Sequence, residues 1–245
     1  MAIAFAEGLI EGRVLPVAKH YPGHGPIALD SHHMIPTRKV GLTDLLGADL
    51  IPFVEFSSSK IDSGTMVAHI AFPMIDPSGL PATYSPVLIK DVLRKKLNYG
   101  GLIMTDDIEM AGASTYNKVS DRAIAAVKAG HDQIMVGWYA KNQYRAVKAV
   151  IKAVKKGVIP EERINQSVRR ILALKAKYAP VKSRRPASLN LKKQFKNIAY
   201  KPVFNKIISH YFKSLPDLNS YVHQFKSVMV ISRTKKFRLS FKRSF

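Results

Sequence analysis

Residues 14–25 read Val14-Leu15-Pro16-Val17-Ala18-Lys19-His20-Tyr21-Pro22-Gly23-His24-Gly25, and their character changes halfway along. The first five residues form an apolar run that is typical of a buried strand, whereas Pro22, Gly23 and Gly25 prevent a strand or a helix from continuing. Ionisable side chains therefore leave the end of a buried strand on a loop. In proteins built from alternating strands and helices, catalytic groups usually lie at such positions.

The same alternation of apolar and amphipathic segments recurs over residues 1–180. Apolar runs predict strands, and amphipathic runs predict helices. The predicted strands cover 14–19, 64–70, 101–105 and 133–136, and the predicted helices cover 2–11, 85–97, 120–129, 142–156 and 161–178. Strands that are apolar throughout and separated by helices indicate a parallel sheet covered on both faces. Four β/α units amount to half of an eight-stranded β/α barrel, which leaves two open sheet edges.

Polar side chains follow three of these predicted strands. The first strand ends in Lys19 and His20, the second in His69, and the third in Asp106 and Asp107. Because parallel strands share a direction, we expect all these groups at one rim of the sheet. Two adjacent carboxylates repel each other, so their placement favours a bound cation or sugar between them.

These residues resemble the signature of glycoside hydrolase family 3, in its bacterial β-N-acetylglucosaminidase (β-N-acetylhexosaminidase) branch. The matching segments run in order over roughly residues 1–180 and comprise 19–25, Asp30-Ser31-His32, 50–53, 66–70, 81–85, 93–94, 101–110 and 160–178. The resemblance implies the C-terminal half of a TIM-type (β/α)8 barrel, about four β/α units, in a chain truncated at its N-terminus. It also implies that a complementing N-terminal half-barrel is a potential partner.

The resemblance assigns roles to residues at the predicted rim. Asp106 matches the catalytic nucleophile, His32 the general acid/base, and Asp30 the group that orients this histidine. Lys19 and His20 resemble ligands of substrate hydroxyls. A histidine with an ordinary pKa of about 6.5 can donate a proton to a leaving oxygen and later accept one from water. For His69 two interpretations remain open: a substrate ligand, or a buried group that supports the site.

The function implied is a retaining glycoside hydrolase that removes terminal β-linked N-acetylglucosamine from wall or chitin-type oligosaccharides through a covalent glycosyl-enzyme. The expected partner is therefore a carbohydrate substrate, and no cofactor is implied. Two alternatives remain: a catalytically inactive truncated fragment, and a basic protein that binds polyanions. The second alternative depends on where the positive charge lies.

The net charge of +22 is concentrated at the C-terminal end. Residues 181–245 contain 16 Lys or Arg and one acid, Asp217, whereas residues 1–180 contain 23 basic and 16 acidic residues. We predict a partial catalytic barrel at 1–180, a linker at 181–190 and a basic tail at 191–245, the tail being a possible remnant of a second α/β domain. A single strand is expected within Gln224–Ser232. No recognised nucleic-acid module accompanies the charge, so no specific nucleic-acid partner is predicted.

Structural explanations compete with several of the catalytic ones. A metal site is an alternative for the histidines at 20, 24, 32 and 33, although no helical i, i+4 pair supports it. Asp106 or Asp107 would also fit the N-cap of a helix, and Glu109 is expected in the first turn of that helix. Gly23 and Gly25 would serve equally well as positions of positive φ.

The rest of the composition bounds the location of the protein. The chain has no cysteine, which excludes disulfides and cysteine-based metal sites or nucleophiles. No window approaches a membrane span, and residues 1–8 lack the basic start of a signal peptide. A cytoplasmic location is expected for the chain as written, and an extracellular or lipid-anchored one if a segment precedes residue 1.

Overall fold

The computed structural model describes residues 1–25 and 35–178, together with the backbone of two short strands at 229–231 and 238–240. By internal contacts the chain divides into two compact units, Met1–Lys182 and Ser183–Phe245. In the first unit the α-helices are Ala2–Glu11 (α1), Leu42–Gly47 (α2), Ile51–Ser58 (α3), Val119–Ala129 (α4), Ala140–Lys155 (α5) and Glu161–Tyr178 (α6). Its strands are Val17–Tyr21 (β1), Gly64–Val67 (β2) and Leu102–Thr105 (β3). Short 3-10 turns lie at Ala82–Tyr84 and Ala111–Ala113, and a π-helix spans Val87–Lys96.

The sheet of the first unit is parallel, in the order β1-β2-β3. The residues after β3 that were predicted as a fourth strand run beside it but form one bridge, between Met104 and Gln133. The ladder stops there because the side-chain oxygen of Thr105, rather than a backbone carbonyl, accepts the hydrogen bond from the N–H of Met135 at 2.9 Å. The fourth segment therefore has the predicted position, but not a regular strand geometry.

Helices with a long amphipathic pattern follow the prediction closely. The observed limits of α1 and α6 equal the predicted ones, and α4 and α5 differ by one or two residues at their ends. The helices α2 and α3 were not predicted, because six and eight residues are shorter than the window in which a helical period can be recognised. The first strand was predicted at 14–19 and lies at Val17–Tyr21.

The core of the first unit lies between the sheet and the helices that follow each strand. Its largest fully buried apolar side chains include Tyr21, Leu45, Ile70, Phe72 and Leu88. A second cluster joins α4 and α5 through Ala123, Ala126 and Ala146. Small residues at this contact let the two helices approach closely, which fixes the loop between the fourth segment and α5.

An ionic cluster closes the opposite, amino-terminal end of the sheet. The carboxylate of Asp132 is completely buried and lies 2.6 Å from Arg94, 3.1 Å from Arg170 and 3.6 Å from Arg163. Its oxygens also accept hydrogen bonds from the hydroxyl of Ser167 at 2.8 Å and from the backbone N–H of Ile103 at 3.1 Å. This one carboxylate therefore ties α6 and the π-helix to β3.

Little of the second unit is described. The strands β4 (Met229–Ile231) and β5 (Arg238–Ser240) pair in antiparallel fashion. The predicted single strand within Gln224–Ser232 thus overlaps a two-stranded ladder, and the predicted linker at 181–190 lies outside the described residues. No helix in the described parts of either unit is long and apolar enough to cross a membrane.

Candidate active site

Asp106 and His20 meet at the carboxyl end of the sheet. Asp106 directly follows β3, and its backbone N–H donates to the carbonyl of Val67 in β2 at 3.1 Å. Its carboxylate lies 3.6 Å from Nε2 of His20, and the two side chains are 21% and 28% exposed. Both groups are therefore held by the sheet and remain accessible to a ligand.

An irregularity in β1 directs His20 toward this partner. Lys19 pairs with Met66 and Tyr21 with Val67, so one residue of β1, His20, has no counterpart in the register. The peptide bonds Lys19–His20 and Tyr21–Pro22 are both cis. A bulge of this kind turns a side chain away from the regular alternation of a strand, and such bulges are common beside active sites.

Asp107 has a different environment from its neighbour. Its side chain is buried, and one carboxylate oxygen accepts hydrogen bonds from the N–H of Glu109 at 3.0 Å and of Gly137 at 3.3 Å. The carboxylate of Asp106 accepts from the N–H of Asp107 at 2.8 Å. The two acids thus avoid repulsion by using separate backbone donors, which fits the capping interpretation for Asp107 and leaves an oxygen of Asp106 facing His20.

The loop after β1 is braced by its glycines and by an ion pair. Gly23 and Gly25 have φ angles of +115° and +53°, as the alternative interpretation of these glycines predicts. A Cβ on Gly23 would lie 2.6 Å from the Cβ of Asp49, whose carboxylate forms a 2.6 Å ion pair with Arg38. The loop therefore requires glycine at position 23 for both conformation and space.

The remaining predicted site residues are distributed unevenly. Lys19 is exposed and lines a groove with residues of α1 and α3, so its side chain and that of His20 do not share one pocket. Its role as a sugar ligand stays a prediction. Asp30 and His32, the predicted acid/base pair, lie outside the described residues, and so does His33.

His69 lies beneath the rim and not on it. It is 1% exposed, its Nε2 donates to the carbonyl of Asp107 at 3.0 Å, and its Nδ1 lies 2.6 Å from the hydroxyl of Thr83. Burial lowers the pKa of His69, so its ring is neutral and Nδ1 accepts the hydroxyl proton. Of the two interpretations of His69, these contacts favour the supporting group; the substrate-ligand role stays a prediction.

A second buried histidine shares Thr83 as a partner. His131 donates from Nε2 to the carbonyl of Thr83 at 2.9 Å, and its Nδ1 has no hydrogen-bond partner among the described residues. Burial lowers the pKa of His131 to about 3. The ring is therefore an uncharged part of the core that holds the turn beneath the site.

We expect this histidine to make the fold sensitive to acid. Because its pKa in the folded state lies below the unfolded value of about 6.5, the unfolded chain binds more protons between these limits, and stability falls as the pH drops through them. The free energy of unfolding should fall by roughly 1.4 kcal/mol per pH unit below 6.5. Urea titrations at pH 7 and pH 5 measure this loss. The matched variant His131→Gln keeps an N–H donor and should show a smaller loss; an equal loss in both proteins contradicts the prediction.

Glu109 is a site-forming residue that the sequence analysis placed wrongly. It lies in a turn and not in the first turn of a helix. Its carboxylate accepts hydrogen bonds from the N–H of Trp138 at 2.6 Å and of Tyr139 at 3.2 Å, and from the side chain of Asn142 at 2.7 Å. It thereby caps the start of α5 from another strand end. The one available signal was the acid placed three residues after Asp106.

The described residues contain no group of three or more His, Asp or Glu side chains placed to hold a metal ion. The metal alternative also involved His32 and His33, which are not among them. The geometry at hand is a carboxylate beside an imidazole at the carboxyl ends of parallel strands. Such a pair can attack or stabilise an electrophilic carbon and bind hydroxyl groups.

Comparison with known proteins identifies the family. The model described as "Glycosyl hydrolase family 3 N terminal domain" matches residues 1–174, which is well over half of the 245 residues. The chain belongs to glycosyl hydrolase family 3. The family and the α/β fold class predicted from the sequence are thereby confirmed, and the parallel sheet with its flanking helices is consistent with part of a TIM-type barrel.

Solved structures and characterised relatives agree with this assignment. A family 3 β-N-acetylglucosaminidase from Paenibacillus superimposes with a TM-score of 0.69 and 40% identity over 71% of this chain and 33% of its own. The β-N-acetylglucosaminidase from Thermotoga maritima superimposes with a TM-score of 0.64 and 30% identity over 70% of this chain and 37% of its own. Proteins named Beta-hexosaminidase from Methylococcus capsulatus and Idiomarina loihiensis are 38% and 40% identical over 55% and 56% of this chain. The match covers 40% of each of these two relatives.

Proposed function

We propose that this chain provides the nucleophile-bearing part of a retaining β-N-acetylglucosaminidase site. The observation that carries the proposal is the carboxylate of Asp106, held at the end of β3 and 3.6 Å from His20. The names of the relatives supply the substrate class, since the Paenibacillus and Thermotoga maritima proteins are β-N-acetylglucosaminidases. The substrates are terminal β-linked N-acetylglucosamine units of wall or chitin-type oligosaccharides.

In the proposed reaction Asp106 attacks the anomeric carbon of the sugar. A bond forms between a carboxylate oxygen and that carbon, while the bond to the leaving oxygen breaks and His32 donates its proton to that oxygen. Water then attacks the same carbon, His32 accepts the proton, and the carboxylate leaves, so the β configuration is retained. Asp30 holds the imidazole in the required tautomer, and Lys19 and His20 bind hydroxyl groups.

We propose further that the described sheet is the C-terminal half of an eight-stranded barrel. Two features support this: β1 lies at one edge of the ladder, and the other edge ends in the single bridge to Gln133. Unpaired parallel edges are unfavourable in water, and a barrel removes them. A complementing half with the four preceding β/α units would cover both edges and complete the sugar-binding rim.

A complementation assay tests this function. The full chain is mixed with the four preceding β/α units of the Paenibacillus relative, and hydrolysis of p-nitrophenyl β-N-acetylglucosaminide is followed. We expect turnover in this complemented sample that exceeds turnover by either part alone, and little hydrolysis of the matching β-glucoside. An associated, folded mixture without hydrolysis contradicts the proposed activity and favours the inactive-fragment alternative. Failure of the two parts to associate contradicts the proposed complementing half.

A further inference from the structure

An anchored aromatic loop lies beside the proposed nucleophile. It consists of Gly137, Trp138 and Tyr139, between the fourth segment and α5. Glu109 accepts the N–H groups of Trp138 and Tyr139, and Asp107 accepts the N–H of Gly137. Both acids belong to the turn that begins at Asp106, so one turn carries the nucleophile and fixes the loop.

The loop holds its aromatic side chains in solvent. Trp138 is 68% exposed and Tyr139 is 57% exposed, although their backbone is pinned by a carboxylate. Desolvation would raise the pKa of Glu109, but the hydrogen bonds from Asn142, Trp138 and Tyr139 outweigh it and keep the pKa below its ordinary value. The anchor is therefore ionised at neutral pH. An exposed indole on a fixed backbone gains nothing for the core, which points to a binding role.

The position of the indole relative to Asp106 defines what it can contact. The N–H of Gly137 is 3.3 Å from the carboxylate of Asp107, the residue next to the nucleophile. Trp138 follows one residue later, about 3.8 Å further along the chain. A ligand that contacts the indole is therefore a neighbour of the sugar at Asp106 and not that sugar itself.

We propose that Trp138 is a stacking platform for the sugar ring adjacent to the bond cleaved at Asp106. The flat apolar face of a pyranose covers an indole well, and aromatic side chains offer large contact area at low entropic cost. This inference rests on the proposed function and narrows its substrate class to oligosaccharides of β-linked N-acetylglucosamine. Single N-acetylglucosamine units would not reach both Asp106 and Trp138.

The chain has one tryptophan, so its fluorescence reports on this residue alone. The full chain is titrated with N-acetylchitotriose or with N-acetylglucosamine while quenching of the indole by acrylamide is measured. We expect the trisaccharide to lower the quenching constant at least about twofold in a saturable way, because a stacked ring covers the indole. The monosaccharide should have a much weaker effect at equal concentration. No protection by the trisaccharide at saturating concentrations overturns the inference.

Kinetics in the complemented sample give an independent reading. Trp138→Ala should raise KM for N-acetylchitotriose about tenfold with little change in kcat, and Trp138→Phe should restore most of the loss. The control Tyr144→Ala removes an aromatic side chain on α5 that is 61% exposed, and should leave both constants unchanged. If hydrolysis persists and Trp138→Ala has an unchanged KM, the platform is refuted while the proposed function stands. If protection occurs without hydrolysis, the platform stands and the proposed function fails.

Discussion

Replacing Asp106 with asparagine is expected to lower kcat of the complemented sample at least about a thousandfold. The amide has the same shape, and its oxygen can still accept the N–H of Asp107 that the carboxylate accepts at 2.8 Å. The turn should therefore stay folded, while the nucleophilic oxygen and the negative charge beside the anomeric carbon are lost. Turnover of p-nitrophenyl β-N-acetylglucosaminide measures the change, and circular dichroism checks that the fold is kept.

A matched neutralisation separates this effect from a loss of surface charge. Asp91→Asn removes an exposed carboxylate that pairs only with Lys95 on its own helix turn at 2.8 Å, and it should leave kcat within about twofold. Equal losses in both variants, or a kcat of Asp106→Asn close to that of the unmodified chain, would refute the nucleophile assignment.

Chemical rescue tests the role of the carboxylate itself. In Asp106→Ala the anomeric carbon is open to a small external nucleophile, and added azide should restore turnover. Azide forms the bond to carbon from the face that Asp106 occupied, and the leaving group departs with its proton, so the product is an α-glycosyl azide. A structural aspartate would show no such rescue. Recovery of rate with formation of this product supports the nucleophile; β-configured product argues against it.

Residues whose role depends on local sequence were predicted well. The limits of α1 and α6 and the strand-end positions of His20 and Asp106 follow from apolar periodicity and from glycine and proline breaks, which act within a few residues. The positive φ angles of Gly23 and Gly25 have the same local origin. Such features need no knowledge of which segments meet.

The features that the sequence did not reveal depend on contacts between distant segments. The direction of the His20 side chain results from a register shift against β2, and Glu109 binds the backbone at Trp138, 29 residues away. The fourth segment was predicted as a strand, but the hydroxyl of Thr105 takes the place of a ladder partner. Asp30 and His32 remain predictions that depend on the family resemblance.

The strongest long-range interaction, and the one with the largest expected effect on stability, is that of Asp132. Its partners are separated by up to 38 residues, and only the spacing of Arg163, Ser167 and Arg170 on one face of α6 hinted at a shared acceptor. Replacing Asp132 with asparagine leaves three guanidinium groups around a neutral side chain. Burial already lowers the pKa of Arg94 to about 10 despite the attraction of Asp132, so uncompensated charge here is costly.

We expect Asp132→Asn to lower the free energy of unfolding by about 3–5 kcal/mol, the cost of breaking a buried ion pair from one side. Urea unfolding followed by circular dichroism measures it. The control Glu162→Gln breaks an exposed ion pair with Arg169 on the same helix, where the side chains are 59% and 63% exposed, and should cost less than about 1 kcal/mol. Adding Arg170→Met to Asp132→Asn should recover part of the loss, because one unpaired cation is removed. A loss below about 1 kcal/mol, or no recovery in the double variant, would mean that α6 is held by its apolar contacts and not by this carboxylate.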